Sequence, residues 1–178
     1  MTDLPSEKEE FKKYCKRIIK RLIEKSYPSL KNTKIHFHTW KQLRGSMMTF
    51  YFFSFWIFAD SSKYNGANKK AITGVLAHEL VHVEYLKQKN YFQKAIILIK
   101  YLLSPKFKRQ FERETDRQTI RKGYGKELAE TMRFRMQTAS KKDKEHLNKY
   151  YLSDKEINAI VVDVETNSIV MMGTIQGG

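Results

Sequence analysis

Lys70-Ala71-Ile72-Thr73-Gly74-Val75-Leu76-Ala77-His78-Glu79-Leu80-Val81-His82 is an apolar stretch that ends in two histidines four residues apart. Its composition predicts a buried helix, with Asn68 as the N-cap and an end near Gln88. On a helix, positions i and i+4 lie one turn apart on the same face. The two imidazoles can then hold one zinc ion through ring nitrogens at roughly 2.0–2.1 Å. Glu79 follows the first histidine directly, which sets its carboxylate beside the metal rather than on it. From there it can take a proton from an attacking water, acting as a general base. A helix can also carry two histidines by accident, so the chemistry needs a third ligand. Gly74 inside such a helix costs about 1 kcal/mol relative to Ala, and close packing against a sheet is the expected reason for it.

The third ligand is read thirty residues beyond His82, in Phe111-Glu112-Arg113-Glu114-Thr115-Asp116-Arg117-Gln118. Glu112 and Asp116 share a helix face. Glu112 can coordinate the metal while Asp116, one turn later, accepts from the far nitrogen of a ligating imidazole and fixes its orientation. Glu114, two residues on, points elsewhere. Alone, a helix rich in Glu, Lys and Arg is a solvated face. With the upstream pair, two histidines and one glutamate leave a fourth zinc position for water, the arrangement of a catalytic rather than a closed structural site.

Leu76-Ala77-His78-Glu79-Leu80-Val81-His82 followed by Glu112-x-x-x-Asp116 resembles the gluzincin metallopeptidases. Within them it is most similar to the minigluzincins, small soluble relatives of the catalytic domains of integral-membrane CAAX and heat-shock metalloproteases. Arg121–Leu128 and Tyr151–Ile157 also resemble that group, so the likeness covers about residues 70–157. It implies zinc held by His78, His82 and Glu112, a base at Glu79, support from Asp116, and a peptide or protein substrate. It further implies that the segment after residue 157 can cover the cleft and keep the enzyme latent.

Composition frames this reading. The 178 residues, 41% of them apolar, suffice for one domain with a sizeable core. The expected division is a metallopeptidase domain over 1–157 and a C-terminal segment over 158–178. A single cysteine, Cys15, rules out a disulfide framework and fits a reducing compartment. The acidic opening residues show no apolar leader. The longest apolar run, Met47–Ala59, has 13 residues, short of the roughly 20 that span a bilayer. A cytoplasmic chain without a transmembrane segment is expected. The net charge of +15 is spread, with +9 in residues 1–90 and +6 in residues 91–178. Such a surface can attract nucleic acid or acidic lipid. The alternative function is therefore an inactive zincin scaffold serving as a basic nucleic-acid- or membrane-surface-binding module.

The remaining segments predict an α+β fold, with a small, mostly antiparallel sheet on the active-site and glutamate helices. Ser6–Glu9 is a capping box, and Phe11, Tyr14, Cys15, Ile18, Ile19, Leu22 and Ile23 form the stripe of an N-terminal amphipathic helix ending near Tyr27-Pro28. Ile35–His38 alternates as a strand, with His36 and His38 on one face and no acidic partner nearby. Leu43–Ser46 reads as a turn. Met47–Ala59 is strand material whose aromatic density fits either a fully buried sheet or an aromatic substrate groove. Its edge strand, placed within Phe53–Ala59, can pair with an extended peptide. Tyr91–Leu103 reads as a packed or interfacial helix broken at Ser104-Pro105. The glutamate helix stops at Gly123-Tyr124-Gly125, and a charged helix runs from Lys126 to about Lys149. A short helix capped at Ser153 and two strands around Thr166–Ser168 follow. Tyr124, Arg117 and His146 are all candidates for polarising a substrate carbonyl, and the spacing does not choose among them.

Overall fold

The computed structural model describes residues 8–41 and 47–175, with side chains as far as Asn167. The turn expected at Leu43–Ser46 and the capping residue Ser6 lie outside these. The architecture is α+β: seven described helices around one three-stranded sheet. Helix α1 (Lys8–Ser26) buries Phe11, Cys15, Ile18, Ile19 and Leu22, the expected stripe, against the domain itself. Strands β1 (Ile35–Thr39), β2 (Met47–Phe52) and β3 (Ser54–Ala59) follow. The sheet order is β1-β3-β2, with β1 parallel and β2 antiparallel to β3. The sheet is thus mixed rather than mostly antiparallel. Its edge beside the site is β2, whereas Phe53–Ala59 supplies the central strand, because the chain doubles back through a one-residue reversal at Phe53.

Alternation decides the faces of that sheet. Phe55, Ile57 and Ala59 of β3 point into the core, whereas Phe50 and Phe52 of β2 stay exposed. The aromatic density is therefore a lined groove, not a doubly buried sheet. On the outer face His36 and His38 stack against Trp56, at ring distances of 4.3 and 5.1 Å. Ring stacking accounts for that pair without a metal.

Helix α2 (Lys69–Lys87) starts where Asn68 accepts from the Ala71 amide at 2.9 Å. Every residue from Gly74 to Val83 is buried. Gly74 abuts helix α5 (Gly125–Thr138), not the sheet: a Cβ there would stand 2.3 Å from the Glu127 carbonyl oxygen and 2.4 Å from Thr131 Oγ1. Helices α3 (Tyr91–Leu103) and α4 (Pro105–Thr119) are each N-capped, by Asn90 and Ser104. A π-helical turn, Ile120–Tyr124, then bends the chain at Gly123, whose φ of 87° suits glycine.

The charged helix expected over 126–149 is two helices. Ala139 adopts an extended backbone, and Ser140 caps the Asp143 amide to start α6 (Lys141–Tyr150). The two strands expected after residue 160 are instead part of one helix, α7 (Asp154–Ile175), opened by reciprocal Ser153–Glu156 hydrogen bonds. Its β-branched run suggested strand. Ile157 and Val161, one turn apart, nevertheless close over Ile120, Leu128 and Met132, and that packing outweighs the modest propensity penalty. Two apolar clusters result, one of α1, sheet and α2, the other of α5, α6 and α7.

Candidate metal centre

Burial of α2 and the approach of α4 bring three side chains to one point. His78 Nε2 lies 3.1 Å from His82 Nε2 and 3.2 Å from Glu112 Oε2, and His82 Nε2 is 3.3 Å from the same oxygen. This is the one grouping of three or more His, Cys, Asp or Glu among the described residues able to hold a metal ion. The triangle can be compared with coordination geometry. Tetrahedral bonds of 2.0–2.1 Å require ligand atoms roughly 3.3–3.4 Å apart. The observed edges match one face of such a tetrahedron within about 0.3 Å. All three residues are buried, so the cluster holds its donors together away from bulk water.

The three candidate donor atoms are fixed from behind. Asp116 Oδ1 lies 2.9 Å from His78 Nδ1, and Asp116 Oδ2 accepts from the Leu152 amide at 2.9 Å. Thr115 Oγ1 approaches His82 Nδ1 at 3.4 Å while donating to the Phe111 carbonyl. With both Nδ1 atoms directed outward, both Nε2 atoms are turned to the common point. Tyr101, from α3, donates a short hydrogen bond to Glu112 Oε1 and leaves Oε2 to face the histidines.

Electrostatics agree with a cation trap. Burial pushes the His78 imidazole down, but hydrogen bonds to Asp116 and Glu112 outweigh it and lift its pKa to about 10. Burial likewise opposes ionisation of Glu112, yet the surrounding imidazoles hold its carboxyl well below the usual carboxylate range. The field that retains a proton here also favours a divalent ion competing for the same lone pairs.

Glu79 is buried and is not one of the three grouped donors; its Oε2 accepts from Thr49 Oγ1 on β2 at 2.7 Å, and it lines the same cavity as His78. The mouth above is a cavity of about 690 Å³. Its floor includes His78, Glu79, His82 and Glu112, one wall comes from β2, and the other comes from Tyr91, Leu98 and Leu102 of α3. Tyr151 also lines it, its ring 5.8 Å from His78. Burial, followed by the Glu112 charge, raises the Tyr151 hydroxyl well above its ordinary pKa, so it stays a proton donor.

The three sequence candidates for a carbonyl-polarising group fare differently. Tyr124 is engaged with Ser26 and Tyr27, and Arg117 pairs with Glu114 on the outside. His146 is exposed and packs on Tyr150 and Tyr151. Thr49, Tyr101, Thr115 and Tyr151 escaped the sequence reading. Two of them carried a signal: Thr115 sits beside Asp116, and Tyr151 opens one of the stretches that carry the family resemblance. No family profile, curated protein or solved structure matches this chain; the structure adds to the sequence resemblance only that His78, His82 and Glu112 come within metal-binding distance of one another.

Proposed function

We propose that the chain is a zinc-dependent metallopeptidase with His78, His82 and Glu112 as ligands and Glu79 as general base. The observation that carries the reading is the buried Nε2–Nε2–Oε2 triangle, with Glu79 in the same cavity and held by Thr49. Two imidazoles and one carboxylate suit zinc and leave one position open. Bound there, zinc supplies Lewis acidity that polarises a scissile carbonyl and makes water acidic near neutral pH.

The chain's own residues supply the rest. Thr49 holds Glu79 in the rotamer from which it takes a proton from the attacking water and later passes it to the leaving amine. The Tyr151 hydroxyl, kept protonated, donates to the carbonyl oxygen as charge builds on it. Strand β2 pairs with β3 along one edge, and its residues line the cleft. A substrate added antiparallel along the other edge lies over the ligands, its backbone recognised and its side chains directed to the aromatic wall.

The test is metal content of the purified protein together with cleavage of an unfolded protein substrate. One equivalent of zinc and chelator-sensitive cleavage restored by zinc are expected. Cleavage that survives complete metal removal, or a protein that binds no divalent ion, overturns the reading.

A further inference from the structure

Helix α3 stands apart from its neighbours. None of its 13 residues is buried, although ten of them are Ile, Leu, Ala, Phe or Tyr within the sequence YFQKAIILIKYLL, and those that repeat at helical spacing face outward. Phe92, Ile99 and Leu103 recur at spacings of seven and four, which sets them on one side of the helix. Phe92 is 74% and Leu103 78% exposed. Toward the cleft mouth the face continues through Leu102 to the tip of the β2–β3 hairpin, where Phe52 and Phe53 line the same cavity.

Phe53 is 80% exposed and has a φ of 54°, a backbone region that favours glycine or asparagine. A bulky aromatic on strained backbone in water costs stability and gains little from packing within the chain. Contiguous exposed apolar surface of this kind marks a contact with something outside the molecule.

Charge identifies what that is. From Tyr85 to Phe111 there are seven basic residues and no acidic one. Lys87 and Lys89 precede α3, Lys100 flanks its exposed face, and Lys106 follows it. The surface thus combines an apolar face with a rim of cations. An anionic bilayer uses both, with apolar side chains at the acyl boundary and lysines among the phosphates. No described helix is long and apolar enough to cross a membrane, so the contact lies at the surface.

We infer that α3 and the Phe52-Phe53 tip dock this protein on an anionic lipid surface. The cleft mouth, which shares those residues, then opens at the headgroup layer. This inference does not depend on the metallopeptidase reading.

Vesicle co-sedimentation tests it, comparing phosphatidylcholine alone with phosphatidylcholine containing phosphatidylserine. The parent protein partitions onto the anionic vesicles, and added salt weakens that binding. The triple variant Phe53→Asn, Phe92→Ser, Leu103→Ser, with unchanged circular dichroism and thermal unfolding, should bind about tenfold less tightly or worse. Undiminished binding of that variant would reduce the effect to charge adsorption and overturn the docking face. A parent that ignores anionic vesicles but forms a concentration-dependent dimer, lost in the triple variant, would assign the face to a second copy of the chain and overturn it as well.

Discussion

At the scale of single residues, the site separates groups that would hold a metal from one held just off it. Glu79 is not among the three grouped donors and its carboxylate accepts from Thr49, so removing its charge should leave the metal in place. Glu79→Gln is expected to retain full zinc content, read by mass spectrometry, while cleavage falls roughly 10²–10⁴-fold. Asp116 acts through His78 and the Leu152 amide. Asp116→Ala should weaken metal affinity by about 10–100-fold in a competition titration with a chelating dye. Cys15 lies in the α1 core, where burial pushes its thiol up. It should resist alkylation at mildly alkaline pH in the folded protein and react once the protein is denatured. The grouping of His78, His82 and Glu112, with Asp116 behind it, was legible because one helical repeat encodes each pair, His78 with His82 and Glu112 with Asp116. Thr49, Tyr101 and Tyr151 were not, because strand register and interhelical contact, rather than spacing, bring them to the site.

At the scale of elements, α2 is fixed as much by a missing side chain as by those it has. The Glu127 carbonyl that would meet a Cβ at Gly74 is backbone and cannot rotate away. Gly74→Ala should therefore destabilise the fold, despite alanine's better helix propensity, by about 1–3 kcal/mol in denaturant unfolding. The amphipathic stripe of α1, the Asn68 cap and the Ser104-Pro105 break were readable, since each is a local pattern with a local cause. Strand order was not. Met47–Ala59 reads as one long strand until Phe53 reverses it, and no glycine or asparagine announces the turn. The stretch after Ile160 misled in the opposite sense: consecutive β-branched residues suggested strands, but α5 offered the Ile157–Val161 face a complementary surface.

At the scale of the whole molecule, the candidate metal lies between the two apolar clusters. His78, Glu79 and His82 come from the helix that anchors the first, and Glu112 and Asp116 come from the helix leading into the second. A zinc ion bound only by the folded chain, at a thousandfold excess over its dissociation constant, adds about 4 kcal/mol of stability. Chelation should lower the melting temperature by calorimetry, and zinc should restore it. The Asp116 carboxylate, one oxygen on His78 and the other on the Leu152 amide, gives that effect a location. It works as a rivet through both plates of the molecule. Stripped of its ion, the protein should lose cooperativity before it loses shape, and amides in 125–161 should exchange with deuterium sooner than those of α2.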